Sequence, residues 1–291
     1  MTSGRIDVLY RIVVTALLAC TGLAQAAGGA APSFQGHWQQ GGLIVGHAAP
    51  GTRVTLDGRA LRVSPDGWFV FGFHRDDPAQ VTLVYTPPGG APVTQRHAVQ
   101  QRQYAVQRID KLPGNMVSPS PDIQRRIDEE AARVKASRAM DSDLPGFHEG
   151  FVWPVQGRVT SVYGSQRILN GVPKQPHYGI DIAAPTGTPV LATAAGIVRL
   201  ADRDLHLTGG TIIVDHGGGV SSTYLHLSKV LVKVGDTVAQ GARIGLVGAT
   251  GRATGPHLCF RYNWFDARLD PQLLLPAQPA RPGKKTKELG S

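Results

Sequence analysis

Short apolar stretches separated by glycine-rich turns run through most of the chain, and their period separates strands from helices. Gly41-Gly42-Leu43-Ile44-Val45-Gly46, Arg53-Val54-Thr55-Leu56, Trp68-Phe69-Val70-Phe71-Gly72-Phe73 and Val81-Thr82-Leu83-Val84-Tyr85 have strand-like composition. Asp57-Gly58 and Asp66-Gly67 supply hairpin dipeptides between them. The pattern predicts a small β-sandwich-like domain over residues 33–112. His37, His47, His74 and His97 are scattered through it without ligand spacing and read as surface or structural residues. The period then changes. Ser120 can cap a helix with Pro121 at its first position and Asp122 in its first turn. Ile123, Ile127, Ala131 and Val134 follow as one stripe at helical spacing, which predicts a linker helix within residues 113–146. Asp141 to Gly146 is a polar break.

From Phe151 the pattern is β again, and residues 147–277 are expected to form a second domain. Val152 to Val162 alternates, and Pro189 to Leu200 is apolar with Gly196 inside it, which suggests a hairpin or bulge. Thr211 to Asp215 and Ser221 to Leu227 read as strands around the turn His216-Gly217-Gly218-Gly219, with His216 serving that turn. The fold class is therefore mainly β, with one linker helix.

The chain ends carry their own signals. Residues 1–26 combine Arg5 and Arg11, the apolar run Ile12 to Ala19 and the small-x-small site Ala24-Gln25-Ala26, which predicts a signal peptide and export to the periplasm or cell envelope. The apolar run is too short to remain as a membrane span. Leu17-Leu18-Ala19-Cys20 resembles a lipobox, and lipidation of Cys20 would bring outer-membrane association. Residues 278–291 form a basic tail with Arg281, Lys284, Lys285 and Lys287.

Composition narrows the function. With 36 Gly and 21 Pro in 291 residues, a turn-rich β architecture is favoured over a helical bundle. The net charge of +9 suits a polyanionic neighbour. No zinc-finger spacing, helix-turn-helix pair or RNP-type strand accompanies that charge, so nucleic acid is not the expected partner. The two cysteines are Cys20 and Cys259. Cleavage after Ala26 leaves Cys259 without an internal disulfide partner, so it is a buried hydrophobe, a metal ligand or a reactive thiol.

Candidate chemistry lies in three stretches: His177-Tyr178-Gly179-Ile180-Asp181, Tyr224-Leu225-His226-Leu227-Ser228 and Gly255-Pro256-His257-Leu258-Cys259-Phe260. Pro173, Pro176, Gly179 and Pro185 exclude a helix around the first. In a straight strand His177 and Asp181 would stand roughly 13 Å apart, so one ion can take both only if the chain bends, and Gly179 is where it can. On a strand, His257 and Cys259 share one face while Leu258 and Phe260 share the other. A histidine, a carboxylate and a thiolate form a three-ligand zinc set that leaves a fourth position open.

These motifs, in this order, resemble the lysostaphin-type family of zinc metallo-endopeptidases, which cut peptide bonds in peptidoglycan. The likeness spans about Phe151 to Pro276 and includes Trp153-Pro154-Val155, Ser161-x-Tyr163-Gly164 and Gly235-Asp236-x-Val238. It implies one zinc per chain held by His177 and Asp181, with His226 and His257 as the non-ligand histidines that handle the water and its proton. The family's third ligand is usually a histidine at the position of Cys259. It also implies a C-terminal domain resembling a lipoyl/biotinyl hybrid barrel. Val230 to Val247 matches that barrel portion, but no lysine sits at a hairpin tip, so a carrier role is excluded. Three other readings stay open: a catalytically degenerate wall-binding or regulatory protein, a thiol nucleophile at Cys259, and a purely structural β protein.

Overall fold

The computed structural model describes residues 30–111 and 119–278. The expected signal peptide, Cys20 and nearly all of the basic tail lie outside the described residues. Among the described residues no helix is long and apolar enough to cross a membrane.

The N-terminal part is two antiparallel sheets. One has the order β1 (Ser33–Gly36), β2 (Leu43–His47), β5 (Trp68–Gly72). The other runs β4 (Arg59–Leu61), β3 (Arg53–Leu56), β6 (Gln80–Thr86), β7 (Val93–Ala98). Val81, Leu83 and Tyr85 alternate inward along β6 and share one core with Ile44, Phe69 and Phe71, which is the period expected of a half-buried strand. Strand β5 is different because it is buried on both faces. A Cβ on its Gly72 would meet Leu269 at 2.6 Å and Trp264 at 3.1 Å, so glycine is what lets the C-terminal part pack this close. One apolar core consequently runs through both parts, from Phe69 and Val70 to Phe147, Trp264 and Leu269. Strand β8 (Val106–Ile109), within the span expected to be N-terminal, also crosses over. It pairs in parallel with β10 (Gln166–Leu169), which pairs in turn with β11 (Val172–Pro173).

Helix α1 (Pro121–Arg138) is capped by Ser120 with proline in its first turn. Its covered stripe is Ile123, Ile127, Glu130, Val134 and Ser137; Ala131 is exposed. The 3.6-residue period drifts off a strict four-residue step and brings Glu130 inward in place of the expected Ala131. There the Glu130 carboxylate accepts a hydrogen bond from the His206 amide at 2.7 Å. Val134 packs on Leu200, Leu205 and Ile213 of the large sheet.

That sheet has eight strands. Its path is β18 (Thr237–Val238), β14 (Gly196–Leu205), β15 (Gly209–Gly217), β16 (Val220–Leu227), β20 (His257–Trp264), β12 (Ile180–Ala183) and β9 (Arg158–Ser161), with β21 (Ala267–Leu269) paired to β20. A small sheet of β13 (Pro189–Leu191), β19 (Arg243–Leu246) and β17 (Lys229–Val230) packs with it. Ile180, Ile182, Tyr224, Leu258, Phe260 and Tyr262 face the core between them. The expected hairpin or bulge at Gly196 is instead a change of sheet: β13 ends before it and β14 begins at it. Asp215 O would lie 2.3 Å from a Cβ there. The bulges of β14 fall between Val198 and Leu200 and between Asp202 and Leu205. The alternation expected over Val152 to Val162 is realised as strand only at β9. Short helix α2 (Pro271–Leu274), capped by Asp270, closes the described chain.

Candidate metal centre

Strand β12 is clamped between β9 and β20, and its register with β20 sets Asp181 directly opposite Cys259. His177 lies just before β12, where its amide bonds to Ser165 O at 2.9 Å and its carbonyl accepts from Gly164 at 2.8 Å. Those two bonds turn the chain, and Gly179 permits the turn to press on β20: a Cβ there would sit 2.4 Å from Phe260 O. The bend brings His177 Nε2 to 3.2 Å from Asp181 Oδ1 and 3.5 Å from Cys259 Sγ. One ligand atom from each of these residues lies within 4.8 Å of the others. Among the described residues, this is the cluster that could hold a metal ion.

The residues fit a zinc ion. Tetrahedral coordination with Zn–N and Zn–O near 2.05 Å and Zn–S near 2.3 Å requires N···O separations of about 3.3 Å and N···S separations of about 3.6 Å. The observed 3.2 and 3.5 Å match both. His177 Nδ1 lies 3.0 Å from Ser161 Oγ, so the ring has an orienting partner on the side away from the cluster. Burial opposes the charged form of both His177 and Asp181, but their mutual contact outweighs it. The carboxyl is held well below its usual range and the imidazole is raised. Arg167 Nη2 stands 3.4 Å from the other Asp181 oxygen. Sequence reasoning missed Arg167, because its place depends on the register of β10 against β8, far away in the chain.

His226 and His257 stand beside this cluster with ring centroids 4.8 Å apart. His226 Nδ1 lies 2.8 Å from Thr250 O, and His257 Nδ1 lies 2.8 Å from Gly255 O. A carbonyl only accepts, so each ring carries a proton on Nδ1, and the neutral form of each has its lone pair at Nε2. His257 Nε2 is 3.7 Å from Asp181 Oδ1. Burial pulls the pKa of His226 down, which keeps that imidazole neutral. The position of His226 is not what simple alternation gives. Leu225 opposes Cys259, so the next side chain of a regular strand would point into the core beside Tyr224. His226 has φ 64°, a left-handed conformation costing about 1–2 kcal/mol, and leaves the regular ladder there.

Other histidines do other work. His216, expected to serve its turn, is instead fully buried: Nδ1 is 2.8 Å from Ala195 O and Nε2 is 2.7 Å from Ser222 Oγ. Ser222, Tyr224 and Thr193 continue this buried polar chain. In the N-terminal part His97 stacks on Trp38 with centroids 4.2 Å apart, and the His74 ring is 5.5 Å from Tyr178.

The geometry has counterparts in known proteins. The family described as peptidase family M23 matches residues 175–271. Peptidoglycan DD-endopeptidase ShyA of Vibrio cholerae is 46% identical over 103 residues, which are 35% of this chain and 24% of ShyA. Cell division protein DipM of Caulobacter vibrioides is 31% identical over 198 residues, 66% of this chain and 29% of DipM. The chain thus spans about a quarter of the length of these curated relatives. A crystal structure described as a peptidase M23 from Pseudomonas aeruginosa has 32% identity and a TM-score of 0.63, and covers 81% of this chain and 94% of that one. A relative matched over almost its full length at that identity, together with the matched motif region, establishes that this chain belongs to peptidase family M23.

Proposed function

We propose that this chain is an exported zinc metallo-endopeptidase that hydrolyses peptide bonds in the stem peptides or cross-links of peptidoglycan. The observation that carries the reading is the convergence of His177, Asp181 and Cys259 beside two histidines whose Nδ1 atoms are each held by a backbone carbonyl. The name of ShyA points to peptidoglycan and that of DipM to cell division. The charge of +9 suits the anionic wall, and residues 1–26 supply the export signal.

In this reading His177 Nε2, Asp181 Oδ1 and Cys259 Sγ hold one zinc per chain. When bound, the ion supplies Lewis acidity that polarises a carbonyl and lowers the pKa of a water toward about 7. The protein's own residues do the rest. Ser161 fixes the His177 ring, and Arg167 holds the second Asp181 oxygen. One of His226 and His257 accepts the proton of the attacking water at Nε2, and the other stands beside it as a further hydrogen-bonding group. The imidazolium so formed stabilises the oxyanion and passes its proton to the leaving amine. The backbone carbonyls of Thr250 and Gly255 keep both rings in the tautomer this requires.

One observation favours a second reading. A thiolate stands where the family usually has an imidazole, so the ligand set carries two negative charges and leaves the ion a weaker Lewis acid. A wall-binding protein without turnover would tolerate that. Incubation with purified peptidoglycan separates the two. New muropeptides with free amino groups, abolished by a chelator and restored by zinc, support hydrolysis; peptidoglycan that is bound but uncut supports the second reading.

A further inference from the structure

The sheet face that carries Asp181 and Cys259 does not end at the metal centre. Along β20 the side chains of His257, Cys259, Arg261 and Asn263 alternate onto that face. The register of β16 sets Thr223 opposite Arg261 and Ser221 opposite Asn263. Arg268 of β21 pairs across from Asn263, with Nη1 3.5 Å from Asn263 Oδ1. Helix α1 walls this stretch: Val134 rests on Ile213, the β15 neighbour of Thr223, and Arg138 ends the helix. The result is a continuous polar floor leading away from the metal centre.

That floor is unbalanced. Arg138 and Arg261 each bury Nε without a hydrogen-bond partner, and Thr223 Oγ1 and Ser221 Oγ are buried and unpartnered as well. Arg138 is 8% exposed and both hydroxyl residues are 3% exposed, so solvent does not satisfy them. Against three guanidiniums stands Asp266, whose side chain is 70% exposed and which also faces Lys135 at 3.8 Å. Among the described residues no carboxylate comes within 4.0 Å of Arg138, Arg261 or Arg268. Native proteins pair buried charges and hydrogen-bond buried polar atoms, so several orphans on one surface call for an explanation.

We infer that Arg138, Arg261 and Arg268 form a subsite that binds a carboxylate of the substrate peptide. The inference rests on the peptidase reading above. Guanidinium forks take carboxylates bidentately. Arg261 is two residues from Cys259 and Asn263 four, or about 7 and 14 Å along the strand. An extended peptide reaching from the metal centre to the part-exposed Arg261 and the cluster beside it therefore presents a carboxylate roughly two to four residues from the scissile bond. Burial and the charges of Arg138 and Arg261 draw the pKa of Arg268 down to about 9, the response expected of a cation cluster without its anion.

The test is binding to the full chain of a fluorescent peptidoglycan stem peptide with free carboxylates, against the same peptide amidated. The wild type is expected to bind the free acid at least tenfold more tightly. Arg138→Met and Arg261→Gln, each checked for folding and metal content, should bring that ratio to within about twofold and leave the amidated peptide unaffected. Arg138→Met should also raise the thermal midpoint of the ligand-free protein, because it removes an uncompensated cation. Equal binding of both peptides by the wild type overturns the inference, as does a tenfold preference that survives in both variants or a lowered midpoint in Arg138→Met. Inorganic phosphate that binds more tightly than the free-acid peptide, and does so through the same arginines, would reassign the cluster to phosphate. Binding is read on uncut peptide, so absence of hydrolysis with the preference intact would sink the peptidase activity and not this subsite.

Discussion

Gly179→Ala tests whether the bend between His177 and Asp181 is what assembles the metal centre. An added Cβ would lie 2.4 Å from Phe260 O and 2.6 Å from Arg261 Cγ. The arginine stem can shift, but the Phe260 carbonyl belongs to β20, the strand that carries Cys259. Ordinary contact begins near 3.4 Å, so β12 and β20 must part by about 1 Å at this point. Overpacking of this kind costs about 1–3 kcal/mol of stability. The effect on the centre is larger, because metal ligands tolerate departures of only about 0.2 Å. Asp181 is two residues from the substitution and directly opposite Cys259, so the Asp181–Cys259 separation takes up much of the opening. Zinc affinity is expected to fall at least 100-fold, read by competition with a chromogenic chelator, and the denaturant midpoint should drop without a change in slope. Gly90→Ala, whose Cβ meets nothing closer than 3.4 Å, is the control. Wild-type zinc affinity and stability in Gly179→Ala would show that the bend does not depend on the missing side chain.

Three further outcomes are expected. His226→Ala and His257→Ala should each lower turnover by roughly 100-fold or more while zinc content stays near one per chain; loss of zinc in either would exchange the roles of ligand and base. Cys259 should react slowly with thiol reagents in the zinc-loaded protein and quickly after the metal is removed, and Cys259→Ser should weaken zinc binding; a reaction rate indifferent to metal would separate the thiol from the ion. Burial holds the pKa of His216 down at about 4, against about 6.5 unfolded, so the unfolded chain binds the extra proton between those values. Stability should be full above about pH 6.5 and fall by about 3 kcal/mol on the way to pH 4, at about 1.4 kcal/mol per pH unit. His216→Gln should flatten that slope, and an identical acid slope in the variant would assign it to other groups.

The mainly β fold was legible because strand composition and hairpin dipeptides are local. The closeness of His177, Asp181 and Cys259 was legible for a related reason: alternation put His257 and Cys259 on one face, and Gly179 marked the only residue of its stretch that could bend toward it. What was not legible depends on pairing between distant segments. Arg167 reaches Asp181 through the register of β10 and β8, which no local pattern encodes. The left-handed backbone of His226 falls where the β15–β16 register shifts, between the pairs Ile212–Tyr224 and Gly210–Leu227, and no local pattern encodes that shift. The shared core was hidden in Gly72, whose missing side chain matters only once Trp264 and Leu269 are known to lie against it. The stripe of α1 was misread at Ala131 because a rigid four-residue step ignored the helical drift that brings in Glu130.

The central claim is that Cys259 completes a zinc site with His177 and Asp181. X-ray absorption at the zinc edge of the purified, zinc-loaded protein tests it most directly. The account predicts one sulfur scatterer near 2.3 Å, with the remaining scatterers nitrogen or oxygen near 2.0–2.1 Å, and loss of the sulfur shell in Cys259→Ser. A first shell of nitrogen and oxygen alone in the wild-type protein would contradict it.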